Sequence, residues 1–507
     1  MLLFIFAGTL ALRIYLALMD DVITSDGLLY INNAKLIQLG QWKAVFERSF
    51  IHIYPLLILL SHKIVADWEL AARAVSVLTG SLAVIPLFLL ARGMFGIRIA
   101  IVSSIFYMIN PKLAEYSSQV LREPAFWCFS ITALWLAWKS ISERRIFYMV
   151  LSSIFTGLSM FERLEGIGVA IIILLWNIWY FLQVERDRRR LILFPVIFIC
   201  AMPVLFSPFL IFLAGKLERW IFGLASVGLP SIMRSKGDLD LSPELMKMLP
   251  RDMNYFLELA INNRYTIFFS EIIFKIIKSM NVMFALLACV GFFKAVKSVK
   301  NDKKQFLIVA WFGIFFLIAL LHIGAIYYLS TRHGLLMGIP ALIWAGMGFY
   351  EVRDFIRAWL NKRQYLQNHI KYMTVVLILI IVGIVFPKTL CLGVDRSKAE
   401  LKQAGRYLKN MGYSQTRFTG DVGLARVVFY ADAEFIVIPP GLSMQNAETF
   451  IRQNNIRYMI INQNRKDTLP DYFTQEFDGL TTKRSEHPEL NTYKNYRICI
   501  YRINSRN

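Results

Sequence analysis

The sequence predicts an all-α polytopic membrane bundle of about eleven transmembrane helices, followed by a small α/β domain outside the membrane. Three observations predict this architecture. First, 56% of the 507 residues are hydrophobic and the mean hydropathy is +0.50, which is too apolar for a soluble protein. Second, apolar runs of membrane-spanning length recur up to residue 390. Third, the composition after residue 394 is mixed, and strand-like and helix-like pieces alternate there.

The predicted spans are apolar runs close to the length of roughly 20 residues that a transmembrane helix needs. They lie near residues 2–19, 72–91, 99–114, 124–141, 146–161, 165–183, 191–213, 280–296, 306–322, 334–350 and 372–390. The first run has no basic segment before it and no small-residue cleavage site. We therefore interpret it as a retained helix rather than a signal peptide.

The charges of the loops predict the topology. The run 51–66 is short and carries two histidines and a lysine. If it lies on the outer surface as an amphipathic helix, with the N-terminus cytoplasmic, every cytoplasmic loop is rich in Lys or Arg. If it spanned the membrane, the basic segments "ARGMFGIR" and "SERRIF" would exchange sides and this pattern would be lost. We therefore expect a multi-pass protein of the cytoplasmic (inner) membrane, with its C-terminal domain periplasmic.

These basic loops account for most of the net charge of +21. Nucleic acid is therefore not predicted as a partner, whereas membrane lipids are. We divide the chain into a transmembrane domain, 1–394, and an extracytoplasmic α/β domain, 395–507. Two long outer segments interrupt the first domain, at 20–71 and 214–279. Loops of such length often cover an active site or bind a ligand.

Charged side chains accumulate at the outer ends of the predicted spans. Charges at such depth are costly and usually face a cavity or a partner. Carboxylates can act as a general base, and arginines can hold a phosphate bidentately. The pattern predicts an outward-facing site for attack on a phosphate-linked substrate. The charged residues on this side are Asp20, Asp21, Asp26, Glu115, Arg122, Glu123, Glu162, Arg163, Glu165, Arg332 and His333.

The five cysteines lie far apart and form no CxxC or Cys/His cluster. A disulfide framework or a zinc site is therefore not expected, and no metal ligands are assigned. The carboxylates could hold a divalent cation, but arginines alone could serve a monophosphate, so the sequence leaves a cation requirement open.

The order of several motifs along the chain resembles the GT-C membrane glycosyltransferases. The motifs include "SDGLLYINNAKLIQLGQW", "AARAVSVLTG", "NPKLAEYSSQVLREPAF", "GLSMFERLEGIG" and "STRHGLLMGIP". The most similar groups are the protein O-mannosyltransferases of family 39 and the aminoarabinose transferases that modify lipid A. This resemblance implies a donor sugar, hexose or pentose, carried on a polyprenyl phosphate such as undecaprenyl phosphate. The acceptor would be a protein, a lipid or a glycan.

The resemblance also implies roles for individual residues. The first outer loop of that family usually reads Asp-Glu, two residues, then an aromatic; here Asp26 and Tyr30 match, whereas Gly27 replaces the Glu. Asp26 would be the base that deprotonates the acceptor, and a single displacement would invert the anomeric carbon. The alternatives for the base are Asp20, Asp21 and Glu123. A solvated loop carboxylate or a helix N-cap remains the structural alternative for Asp26.

The donor phosphate would be held by Arg163, Arg332, Arg122 and His333, while Tyr30, His52 and Glu165 would contact substrate. Structural alternatives remain open for these residues too. Glu123 could simply stabilise a helix N-terminus, and Arg163 could neutralise Glu162 and Glu165 within "FERLEG". The histidines could be ordinary interfacial residues.

The main alternative function is a transporter or flippase for a lipid-linked saccharide, which also needs a charged cavity. Such proteins usually contain internal repeats and interrupted helices, and the sequence indicates neither. A membrane-anchored sensor is a third interpretation, but it leaves the arginines within the spans unexplained.

Overall fold

A computed structural model describes residues 1–20, 22–48, 52–185, 192–202, 251–298, 304–361, 372–393, 399–438, 444–462, 481–485 and 498–503. These form two compact units. The first comprises Met1–Leu16 and Leu36–Leu392, and the second comprises Ala17–Lys35 and Gly393–Asn507. Of the predicted large outer loop, residues 214–250 lie outside the described residues, and the rest forms helices.

The first unit is entirely helical where it is described. In chain order its helices are α1 (Leu2–Met19), α2 (Ser25–Gln38), α3 (Trp42–Arg48), α4 (Tyr54–His62), α5 (Trp68–Leu82), α6 (Val84–Phe95), α7 (Ile97–Ile109), α8 (Pro111–Ser118), α9 (Glu123–Glu143), α10 (Ile146–Glu162), α11 (Gly166–Tyr180), α12 (Ile192–Met202), α13 (Arg251–Asn262), α14 (Arg264–Met280), α15 (Val282–Ser298), α16 (Gln305–Ile326), α17 (Thr331–Asn361) and α18 (Met373–Leu390). Helices α1 and α2 each continue into the second unit.

The chain is a polytopic membrane protein, as the sequence predicts. Among the described residues, six helices are long and apolar enough to cross a membrane, or up to eight if each of two bent pairs counts as one span. Each predicted span overlaps one or two described helices, although residues 203–213 of the seventh span lie outside the described residues. Helices α10 and α12 are shorter apolar helices, and α9 is not among the six. The run 51–66 contains only the nine-residue α4. A helix of that length covers about 14 Å, too little to cross the hydrocarbon core.

Two of the spans are interrupted, which the sequence analysis did not predict. Helices α7 and α8 meet at 55°, and α14 and α15 meet at 112°. Asn110 lies at the first break, where its side chain caps α8 by accepting from the backbone N–H of Leu113. The same side chain donates to the carbonyl of Met280, the last residue of α14, at 3.0 Å. Asn110 therefore satisfies backbone groups that both breaks expose.

The core of the first unit lies between its long helices, and two glycines allow the closest packing. A Cβ on Gly291 of α15 would lie 1.9 Å from the carbonyl oxygen of Trp344, and one on Gly348 of α17 would lie 1.9 Å from that of Leu287. No larger residue fits at either position while the two helices keep this separation. Such small-residue contacts are typical of helix packing in membranes.

The second unit contains a five-stranded mixed sheet. Its strands are β1 (Arg417–Gly420), β2 (Glu434–Phe435), β3 (Tyr458–Asn462), β4 (Thr481–Ser485) and β5 (Ile498–Ile503), and its helices are α19 (Ala399–Leu408), α20 (Ala425–Tyr430) and α21 (Met444–Gln453). The spatial order is β2-β1-β3-β5-β4. Strand β1 pairs in parallel with β2 and β3, whereas β5 runs antiparallel to β3 and β4. A small α/β fold is therefore observed, as predicted.

Candidate active site

Arg163 lies at the centre of a buried charged cluster in the first unit. It follows α10 and adopts an extended backbone conformation in the short turn before α11. Its Nη1 donates to Oε1 of Glu123 at 2.7 Å, and its Nη2 donates to Oε1 of Glu165 at 2.5 Å. Its Nε lies 3.3 Å from the second oxygen of Glu165, so this pair is bidentate. Because Arg163 and Glu123 are only 9% and 1% exposed, each charge depends on the other.

Glu123 joins two arginines from different parts of the chain. It is the first residue of α9, and Pro124 follows it in the first turn, where proline and an acidic residue are both favoured. Besides Arg163, it accepts from Nη1 of Arg332 at 3.3 Å. The Arg332 guanidinium also lies 5.9 Å from the ring centre of Tyr116. The second oxygen of Glu123 is buried and has no hydrogen-bond partner among the described residues.

His333 completes this side of the cluster. Its Nε2 lies 3.4 Å from Oε1 of Glu165 and 3.4 Å from Nη2 of Arg163. Since a guanidinium only donates, a proton on Nε2 would be directed to Glu165. The ring centre of His322, on α16, is 4.3 Å from that of His333. His322 is not among the residues that the sequence predicts for the site, although a histidine within an apolar span often marks a functional site.

Arg122 and His52 form a second arm of the cluster. Nη1 of Arg122 lies 2.6 Å from Nδ1 and 2.8 Å from Nε2 of His52, and it donates to the backbone carbonyl of Glu162 at 2.9 Å. Burial, followed by the positive charges of Arg122 and Arg163, lowers the pKa of His52 from 6.5 to about 3. His52 is therefore neutral at physiological pH and can accept a hydrogen bond from the guanidinium.

Glu162 is a further member of the cluster, although the sequence predicts no catalytic or binding role for it. Its carboxylate is fully buried, and neither oxygen has hydrogen-bond geometry with a described residue, although the Tyr54 backbone lies nearby. The interpretation in which Arg163 neutralises both acids of "FERLEG" is only half right. Arg163 pairs with Glu165, and its other partner is Glu123 from α9 rather than Glu162.

The cluster thus contains three arginines and three glutamates, drawn from residues 122–123, 162–165 and 332. Several buried polar atoms in it have no partner within the described part of the chain, namely Arg122 Nε, Glu123 Oε2, both carboxylate oxygens of Glu162 and His333 Nδ1. Partly satisfied buried polar networks are costly unless water or a ligand completes them. Two guanidinium groups converging on one carboxylate oxygen could also bind an anionic group such as a phosphate.

Asp20 and Asp26, at the start of the first outer loop, belong to the second unit. Asp26 is partly exposed and lies in the first turn of α2. The N-cap role is taken by Thr24, whose hydroxyl accepts from the backbone N–H of Gly27 at 3.0 Å. Tyr30, one turn further along, is buried, and Asp20 is partly exposed at the end of α1. Asp21 lies outside the described residues.

Metal ligation gains no direct support from the geometry. Within the ranges that the structure describes, no three His, Cys, Asp or Glu side chains are grouped so that they could hold an ion. A divalent cation therefore stays an open expectation.

Comparisons with known proteins agree with this fold. The family model of the dolichyl-phosphate-mannose-protein mannosyltransferases matches residues 52–212, a segment that contains His52, Arg122, Glu123, Arg163 and Glu165. No curated protein matches the chain in sequence.

Solved structures resemble the chain over nearly its whole length. ArnT from Cupriavidus metallidurans in the apo state has a TM-score of 0.59 and 14% identity, with 99% of this chain and 97% of that chain covered. The same protein bound to undecaprenyl phosphate gives 0.58 and 13%, with 99% and 98% covered. The apo oligosaccharyltransferase of Archaeoglobus fulgidus gives 0.56 and 13%, with 91% and 69% covered. The resemblance seen in the sequence is thereby confirmed: the chain has the fold of the GT-C superfamily of membrane glycosyltransferases.

Proposed function

We propose that the protein is an integral-membrane glycosyltransferase that moves a sugar from a polyprenyl-phosphate donor to an acceptor on the extracytoplasmic side. The observation that carries this proposal is the buried cluster in which Arg163 and Arg332 converge on Glu123. The relatives give it a chemical context. ArnT was solved with undecaprenyl phosphate, and the Archaeoglobus oligosaccharyltransferase was solved with a dolichol-phosphate and with a tethered acceptor peptide.

In the proposed reaction, a nucleophilic atom of the acceptor attacks the anomeric carbon of the donor sugar. A bond forms between these atoms, and the bond from the anomeric carbon to the phosphate oxygen breaks. The departing polyprenyl phosphate keeps the electron pair, so it needs charge stabilisation more than protonation. Arg163 and Arg332 would supply it by turning from Glu123 towards the phosphate, with Arg122 and His333 beside them. His52, Glu165 and Tyr30 would contact the substrates.

Asp26 would take the proton that the acceptor loses. A single displacement, with base and leaving group on opposite faces of the sugar, inverts the anomeric carbon. Asp20, Asp21 and Glu123 are the alternative bases. The sugar would be a hexose or a pentose, and the acceptor would be a protein, a lipid or a glycan.

A flippase of lipid-linked saccharide is the second candidate, and one observation favours it. The bends at α7–α8 and α14–α15 interrupt two spans, as is typical of transporters. Interrupted helices can also line a binding cavity in a membrane protein that does not transport its ligand. An assay of sugar transfer therefore distinguishes the glycosyltransferase from the flippase.

The test is sugar transfer by the purified protein in nanodiscs. Radiolabelled polyprenyl-phosphate sugars would be presented as a panel together with crude acceptor extract. We expect wild-type transfer from at least one donor, and a loss of about two orders of magnitude or more in Asp26→Asn. Asp354→Asn, the same change at an exposed residue of α17, is the matched control. Activity retained in Asp26→Asn would move the base to another carboxylate, and the same substitution at Asp20, Asp21 and Glu123 would identify it. If no donor supported transfer and labelled lipid instead crossed a proteoliposome bilayer, the proposed glycosyltransferase activity would be overturned in favour of a flippase.

A further inference from the structure

The first part of the first outer loop forms a compact unit with the C-terminal domain. Residues Ala17–Lys35 cluster with Gly393–Asn507, although a division by chain order assigns the loop to the transmembrane domain. Such grouping requires contacts between segments that are hundreds of residues apart. It also means that the segment carrying Asp26 takes its position from the domain that it packs against.

Two specific contacts join the loop to one short helix of that domain. The backbone N–H of Ile23 donates to the hydroxyl of Tyr430 at 2.8 Å, across 407 residues of sequence. At the other end of the segment, the ammonium of Lys35 lies 5.7 Å from the ring centre of Phe429. Tyr430 and Phe429 are the last two residues of α20, so a single helix end holds both ends of the segment.

Tyr430 is itself held in a fixed place. A Cβ added to Gly405 of α19 would lie 2.4 Å from the Cβ of Tyr430 and 2.5 Å from the carbonyl oxygen of Val427. Helix α20 therefore crosses α19 at a distance that only glycine permits. The ammonium of Lys402, also on α19, lies 5.0 Å from the ring centre of Tyr430. The close approach to Gly405 fixes the Cβ of Tyr430, and the Lys402 ammonium lies against the ring, so the hydroxyl is a positioned acceptor.

Asp26 is linked to this fixed point by a short, ordered path. It lies three residues after Ile23, so its backbone is at most about 10 Å from the anchored amide. The intervening backbone is ordered as well, because Thr24 caps the first turn of α2. Displacement of the Ile23 amide therefore displaces the start of α2 and Asp26 with it.

We propose that the C-terminal domain positions the first outer loop through α20, and that Tyr430 is a positioning residue for Asp26. The docking of the loop stands by itself, whereas its effect on catalysis rests on the proposed function. In this arrangement the α/β domain determines the position of Asp26, the group proposed to accept the acceptor's proton. Tyr430 contacts neither substrate nor the reacting atoms in this role.

Tyr430→Phe tests the proposal, because it removes the acceptor hydroxyl and keeps both the Cβ beside Gly405 and the aromatic ring near Lys402. Hydrogen exchange, followed by mass spectrometry in the full-length protein in nanodiscs, reports on the peptide covering residues 20–30. We expect exchange there to accelerate about fivefold, the effect of losing one hydrogen bond of typical strength. We also expect kcat to fall about threefold to tenfold, with the KM for the donor unchanged.

Tyr458→Phe is the matched control, since Tyr458 lies on β3 and packs against the core of the same domain. Both readouts should stay at the wild-type level in this variant. Unchanged exchange in Tyr430→Phe would overturn the docking, and faster exchange with unchanged kcat would overturn the positioning role. The exchange measurement needs no turnover, so the docking can be established even if Asp26→Asn proves active and the proposed base is wrong.

Discussion

The fold holds its two groups of candidate residues in different ways. In the cluster around Arg163, oppositely charged side chains hold each other, and Glu123 pairs with arginines from two other helix ends. In the first outer loop, the backbone holds the position, through the Thr24 cap and the hydrogen bond from Ile23 to Tyr430, while the Asp26 carboxylate is partly exposed.

This difference determines what a substitution can reveal. A substitution within the cluster removes a functional group and also leaves a buried charge without its partner. The free energy of unfolding and the activity should therefore fall together. A change of the Asp26 carboxylate removes a functional group from a backbone that other contacts hold. Activity should then fall while the stability remains.

The largest effect is expected for Arg163→Ala. This variant leaves the buried Glu123 and the partly buried Glu165 without their closest charged partner, so we expect the free energy of unfolding to fall by about 3–5 kcal/mol and transfer to be abolished. Unfolding in mixed micelles measures the first quantity. Arg353→Ala is the control, because its partner Asp354 is exposed and such pairs contribute at most about 1 kcal/mol. If the two variants were equally stable, the cluster would not be held together by its charges.

Asp26→Asn should show the opposite balance. We expect transfer to fall about 100-fold or more, whereas the free energy of unfolding should change by less than about 1 kcal/mol. The substitution is nearly isosteric, and neither Thr24 nor Ile23 loses its contact. Transfer assays and unfolding of the same preparation measure both. A loss of several kcal/mol of stability would show that the carboxylate is structural and would end the contrast between the two regions.

The two arginines on Glu123 should differ in their coupling to it. The pair with Arg163 is 2.7 Å long and buried, whereas the pair with Arg332 is 3.3 Å long and the arginine side chain is 28% exposed. In double-mutant cycles with Glu123→Gln, we expect a coupling of about 2–3 kcal/mol for Arg163→Gln and about 1 kcal/mol or less for Arg332→Gln. Equal couplings would mean that Arg332 is held as firmly as Arg163 and is not the one more available to a phosphate.

The sequence predicted those features that the bilayer itself imposes. Apolar length locates the spans, and the mixed composition after residue 394 predicts the α/β domain. The cost of charge near the membrane singled out Arg122, Glu123, Arg163, Glu165, Arg332 and His333, and the structure brings these six together.

Other features could not be predicted because they depend on contacts that are distant in sequence. The pair of Arg163 with Glu123 spans 40 residues, and the contact of Ile23 with Tyr430 spans 407. No local pattern specifies either partner. The bends could not be predicted for a related reason. In the sequence Asn110 has the pattern of an ordinary helix cap, and its second hydrogen bond, to the carbonyl of Met280, depends on the three-dimensional fold.

His52 should give the protein a pH-dependent stability. Its pKa is lowered from 6.5 to about 3 by burial and by Arg122 and Arg163, so below pH 6.5 the unfolded chain takes up a proton there that the folded protein does not. The contribution of His52 to stability is therefore fully present above pH 6.5 and is lost as the pH drops towards 3. From pH 7 to 5.5 this site should contribute a loss of about 1 kcal/mol.

Unfolding of the wild type and His52→Gln at both pH values measures this contribution. Glutamine does not titrate, and its side-chain carbonyl can still accept from Arg122, so the variant should lose about 1 kcal/mol less over this interval. The difference between the two proteins removes the contributions of the other five histidines and the carboxylates. Identical slopes would mean that His52 accepts a proton in the folded protein. The contact between Arg122 and His52 would then break as the pH falls. In that case only the Arg163 side of the cluster would be held by its charges, in contrast to the first outer loop, which is held by backbone contacts.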